Sequence, residues 1–103
     1  MADQIALTET TYYILLSLYE PLHGYGIMQR TAELSGGRIQ LAAGTLYGAL
    51  NAMVDKGWIF LLPGEGRKKD YRLTPLGLEV LRKELARLRE LVASGDIILK
   101  EEA

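Results

Sequence analysis

The stretch that most constrains this chain is residues 44–77, GTLYGALNAMVDKGWIFLLPGEGRKKDYRLTPLG. Leu46, Leu50 and Met53 recur at i, i+4 and i+7, with Ala49 and Val54 beside them, the stripe of a helix with one face on a core. Tyr47, Gly48 and Asn51 fall on its other side, and Gly57 is placed to close it. Residues 58–62 are β-branched and aromatic enough for a strand. Pro63, Gly64, Glu65 and Gly66 then form a turn cluster, and residues 70–73 return as the antiparallel partner. Thr74 followed by Pro75 is an N-cap with proline at the first helical position.

Helix, hairpin and helix in this order predict the second half of a winged helix-turn-helix. The expected fold class is mainly α with one small β-hairpin, extended by a long C-terminal helix. That helix is predicted to run to about Ser94, with Gly95 as its stop. Leu78, Leu81, Leu85, Leu88 and Val92 are spaced 3, 4, 3, 4 along it, a coiled-coil seam over two heptads. At 1.5 Å per residue it is roughly 30 Å long. Residues 1–74 are read as the winged-helix part and 75–103 as dimerisation helix and tail, with 96–103 frayed.

Upstream, Thr8 is a plausible N-cap for a first helix to about Glu20, just before Pro21. Its apolar residues leave almost no polar face, so it is expected to be buried on more than one side, one of them against another subunit. Tyr12 and Leu16 are the expected contacts there, with Leu78, Leu81, Leu85, Leu88 and Val92 on the last helix. A second helix is expected over about 25–34, ended by Gly36 and Gly37. Residues 38–41 alternate polar and apolar and read as a short strand or an extended connection.

With 103 residues the chain is one domain. No residue is cysteine, which excludes disulfides and thiolate chemistry and suits a reducing cytoplasm. The N-terminus has no basic-then-apolar leader, and no apolar run reaches the ~20 residues that span a bilayer. The net charge of −1 argues at first against nucleic acid, yet residues 30–89 hold eleven Lys and Arg against six Asp and Glu. A chain acidic at its ends and basic through its middle can present a positive face to DNA.

Arg67, Lys68 and Lys69 flank the Gly turn. A solvated hairpin also carries charge to protect its edges, but three cations at a wing tip, with Arg72 close by, favour phosphate contact. Tyr47 is expected to be exposed because the core stripe is already filled, and a phenol near a helix N-terminus can hydrogen-bond phosphate. Thr45, Gly48 and Asn51 lie close enough to join it, Thr45 and Asn51 as phosphate or base-edge contacts. His23, the only histidine, lacks the companions of a metal site or general base and reads as a local loop hydrogen-bonder. The acids show no paired arrangement for hydrolysis, and Gly24-Tyr25-Gly26 is too short for a dinucleotide fingerprint. No enzyme, metal or cofactor is expected. Tyr12, Tyr13 and Tyr19 supply flat apolar area with polar tips, suited to a subunit interface or an aromatic-ligand pocket.

HGYGI at 23–27, GTLYGAL at 44–50, KGWI at 56–59 and RKKDYRLTPLG at 67–77 together resemble the PadR family of bacterial transcriptional regulators. The likeness extends over about 11–92. It implies a DNA-binding repressor, homodimeric through its C-terminal helix, acting on a pseudo-palindromic operator in the cytoplasm. It also implies a small-molecule effector, often aromatic or hydrophobic. The family's recognition-helix tyrosine corresponds to Tyr47 and its basic wing to Arg67, Lys68 and Lys69. Gly48 departs from the proline that many members carry. With one long helix after the wing, the chain resembles the short subfamily without a separate C-terminal domain. A winged helix used only for protein interaction is the rival reading, and the basic wing speaks against it.

Overall fold

Among the described residues, side chains start three of the four helices. Thr8 Oγ1 accepts from the Thr11 amide at 3.1 Å, His23 Nδ1 from Gly26 at 3.2 Å, and Thr74 Oγ1 from Gly77 at 2.9 Å. The caps open α1 (Glu9–Ser17), α2 (Gly24–Leu34) and α4 (Pro75–Ile98). Between α2 and α4 lie α3 (Ala43–Asp55), β1 (Ile59–Leu61) and β2 (Tyr71–Leu73). This computed structural model describes residues 6–64 and 69–100.

Glycines end two of the helices as expected. Gly36, Gly37 and Gly57 hold φ of 63°, 87° and 78°, the left-handed region that only glycine adopts without strain. Two other ends differ from expectation. α1 stops at Ser17 rather than near Glu20, because the chain must turn and extend before Pro21 so that Leu22 can pair with Tyr71. α4 passes through Gly95 and continues to Ile98, since Gly95 takes no left-handed φ and one glycine costs a helix only about 1 kcal/mol. Ile97, Ile98 and Leu99 are exposed and do not pack locally. Residues 38–41 form a connection, anchored where Arg38 Nη1 meets Glu9 Oε1 at 2.7 Å.

The hairpin is antiparallel, with Ile59 opposite Leu73, Phe60 opposite Arg72 and Leu61 opposite Tyr71. Ile59 enters the core, which it shares with Ile14, Leu15 and Leu18, Ile27, the Leu46–Leu50–Met53 stripe of α3, and Leu81 of α4. Gly77 brings α4 close to the hairpin: a Cβ there would strike the carbonyl oxygen of Trp58, the group to which the Thr74 amide donates at 2.9 Å. The first turns of α4 therefore belong to the same core as the winged helix.

One buried acid lies on α4. Glu84 is 2% exposed; it accepts from Arg87 Nε at 2.8 Å and Nη2 at 2.7 Å, and from the Leu7 amide at 3.2 Å. Arg87 is the main reason its carboxyl titrates below the ordinary glutamate value, with the Leu7 amide adding to the effect against the opposing cost of burial.

Candidate nucleic-acid interface

Helix α3 turns its apolar stripe inward and leaves the rest to solvent. Leu46, Leu50 and Met53 are buried, while Gly44, Thr45, Tyr47, Gly48, Asn51 and Asp55 are all exposed. Helical periodicity puts Tyr47 and Asn51 along one edge of this face and Thr45 along the other, with Gly44 and Gly48 between them. No atom lies within 4 Å of a Cβ built on either glycine. The middle of the face is thus low, flanked by hydroxyl and amide side chains. Val54, expected beside the core stripe, is also exposed.

Tyr47 is 43% exposed, as expected of a residue outside the stripe, but it is not free. The hydroxyl end of its ring lies against Gly24, at the first turn of α2. The phenol of Tyr71 on β2 is held above its ordinary pKa by burial first and the Tyr47 phenol second. β2 is tied to the chain just before α2 by two backbone bonds, Leu22 N–H to the Tyr71 carbonyl at 3.2 Å and Tyr71 N–H to that of Leu22 at 2.8 Å. Gly24 and Tyr71 carry no chemical signal of their own in the sequence. Only their place in the motifs HGYGI and RKKDYRLTPLG marked them.

Arg67 and Lys68 lie outside the described residues. Lys69 is exposed where the chain re-enters β2, and Arg72 is exposed on the outer face of the hairpin opposite Phe60. Lys56, at the end of α3, places its Nζ 4.7 Å from the centre of the Trp58 ring, a cation–π contact. His23 has the local role expected of it, as the cap of α2. Among the described residues no cluster of His, Cys, Asp or Glu could hold a metal ion, and no helix is long and apolar enough to cross a membrane.

The structure separates the three tyrosines of α1 and its following turn. Tyr12 and Tyr13 meet edge to face with ring centres 5.9 Å apart. Tyr19 instead lines a groove of about 430 Å³ with Phe60, Arg72 and Leu78, which neither of the others reaches. On α4, Leu81 is 6% exposed and part of the chain's own core, so it leaves little surface for a partner. Leu78 and Leu88 are half-buried, whereas Leu85 and Val92 are exposed, as is the neighbouring Leu91. Tyr12 and Leu16 pack partly against the chain's own core.

Residues 13–83 match the model of the Transcriptional regulator PadR-like family. This chain belongs to that family. The PadR-like fold extends beyond the matched span: a PadR family transcription regulator from Clostridium difficile R20291 superposes with a TM-score of 0.75, covering 89% of this chain and 99% of that one at 24% identity. Bacillus subtilis PadR, solved in complex with operator DNA, superposes with a TM-score of 0.66 at 27% identity, over 79% of this chain and 48% of that one. A stretch of 64 residues is 42% identical to an uncharacterized 37.1 kDa protein in transposon TN4556 of Streptomyces fradiae. It amounts to 62% of this chain but only 18% of that protein. In PadR-like terms α2 and α3 are the helix-turn-helix and β1 and β2 the wing.

Proposed function

We propose that the chain is a sequence-specific DNA-binding transcriptional regulator, a homodimeric repressor responsive to a small aromatic or hydrophobic effector. The observation that carries the DNA reading is the exposed face of α3. Thr45, Tyr47, Gly48 and Asn51 stay in solvent although the helix is anchored through three buried residues. A low, polar helical face beside a hairpin suits insertion into a major groove with the wing on adjacent phosphates. The operator complex of the Bacillus subtilis relative supports the same partner. Arg67, Lys68 and Lys69 are assigned to phosphate, because cations on a turn reach backbone charge more readily than they align with base edges.

Dimerisation is assigned to α4 with α1. Leu85, Leu88 and Val92 continue the 3–4 spacing beyond the point where the chain's own core ends, Leu85 and Val92 exposed and Leu88 half-buried, and an apolar stripe of that length favours a second copy. Two-fold symmetry then calls for a pseudo-palindromic site. The effector reading rests on Tyr12 and Tyr13, whose edge-to-face pair lies beside that seam's α1 half. A screen of planar hydrophobic compounds should raise the melting temperature and quench tyrosine or Trp58 fluorescence for at least one of them. No shift for any compound would count against a sensor.

The DNA reading is tested by a gel shift with DNA upstream of the chain's own gene, at two salt concentrations. Retardation that weakens with salt and survives excess random duplex is expected. Failure to bind any duplex would favour a winged helix used for protein contacts.

A further inference from the structure

Gly24 has no backbone reason to be glycine. It takes no left-handed φ, it sits at the start of α2, and alanine is the better helix former. Its reason is a neighbour: a Cβ at this position would land on the hydroxyl and ring end of Tyr47. Gly26, two residues on, differs, since its Cβ would meet Leu22 Cδ2 at 3.0 Å and His23 Cε1 at 3.6 Å, both in the loop before α2. In the HGYG run, Gly24 is therefore the glycine that meets α3. The paired backbone bonds between Leu22 and Tyr71 hold β2 to the chain two residues before Gly24.

We propose that Gly24 is the seat of the Tyr47 ring and locks the recognition helix to the start of α2, a segment that the Leu22–Tyr71 backbone bonds tie to the base of the wing, in one DNA-binding surface. Gly24 is a positioning residue that acts through Tyr47. The assignment rests on the DNA-binding reading above. A half-exposed ring can move aside at little cost to the core, so filling the seat should misplace Tyr47 while the fold survives.

The test is a cycle of Gly24→Ala, Tyr47→Ala and the double variant. Thermal melts are recorded, with Kd for duplex DNA recovered with the wild-type protein and for a scrambled duplex. Gly24→Ala should melt within about 3 °C of wild type and bind the recovered DNA about tenfold more weakly. In the Tyr47→Ala background the same substitution should change Kd by less than about twofold, because the ring it displaces is gone. Tyr47→Phe, which removes the atom nearest the new methyl group, should recover part of the loss caused by Gly24→Ala. Should Gly24→Ala melt far below wild type, the double variant must restore the melting temperature to that of Tyr47→Ala, or the seat is overturned. Gly24→Ala binding like wild type, or losses that multiply in the double variant, also overturn it. A wild-type chain that binds neither duplex overturns the DNA reading, and the seat as a DNA-binding device with it.

Discussion

Two helical glycines show how one residue type answers to opposite demands. At Gly77 the obstacle to a side chain is the Trp58 carbonyl, a backbone group held by the hairpin and already accepting from Thr74. It cannot rotate away, so Gly77→Ala should move α4 off the wing and cost about 1–3 kcal/mol or more, as overpacking does. At Gly48 nothing lies in the way. Gly48→Ala should stabilise α3 by about 0.5–1 kcal/mol through the lower entropy of the unfolded chain. Urea melts of the two variants check both signs, and equal effects would show that the contact at Gly77 is not rigid. The sequence could not separate these positions, since both read as glycine in a helical pattern. Tyr47 was legible as exposed because Leu46, Leu50 and Met53 had already filled the inner face. Its seat was not, because a contact between residues 24 and 47 leaves no periodic trace.

At the scale of elements, helix starts were legible and helix ends less so. Thr8 and Thr74-Pro75 announce their caps through side-chain oxygens that must accept an amide, and the structure places those bonds where the residue types require them. Gly95 misled because a glycine stops a helix only when the chain has somewhere else to go, and among the described residues nothing covers α4 there. The leucine spacing of α4 was read as one seam, yet its first half serves the chain's own core through Leu81. This division makes a sharp expectation. Leu85→Asp should leave the monomer folded but split the proposed dimer, at several kcal/mol for a charge buried without a partner. Sedimentation velocity decides, and a variant that remains dimeric removes Leu85 from the seam.

Glu84 interrupts the same helix with a buried carboxylate that no apolar pattern could reveal. Its pKa is lowered in the folded chain, so it stabilises the fold above the ordinary glutamate pKa, and that contribution disappears as pH falls through the lowered value. Below an ordinary pKa of about 4.3, the unfolded chain takes up the proton first, and stability should drop. Glu84→Gln should cost about 1–2 kcal/mol near neutral pH, the difference between charged and neutral hydrogen bonds. It should also flatten this acid limb in melts taken from pH 7 to pH 3. An unchanged limb would place the acid sensitivity elsewhere, with Glu9 and its partner Arg38 the next candidates.

Across the whole molecule, charge and shape divide the labour. The acidic ends and the basic middle nearly cancel in the net charge of −1, but they are separated along the chain. In the proposed dimer, α4, roughly 36 Å long at 1.5 Å per residue, joins two winged helices whose α3 faces address successive turns of one duplex face, about 34 Å apart. The central claim is that α3 reads bases while the wing holds phosphates. It is tested most directly by Kd against salt concentration, for recovered and scrambled duplexes, with wild type, Asn51→Ala and the variant carrying alanine at Arg67, Lys68 and Lys69. Asn51→Ala should lose about 1–3 kcal/mol of preference for the recovered DNA with its salt slope unchanged. The wing variant should bind both duplexes more weakly, with a slope shallower by up to ~0.9 for each lost phosphate contact. A wing variant that matches wild type at every salt concentration, beside an Asn51→Ala that keeps full preference, would contradict the account.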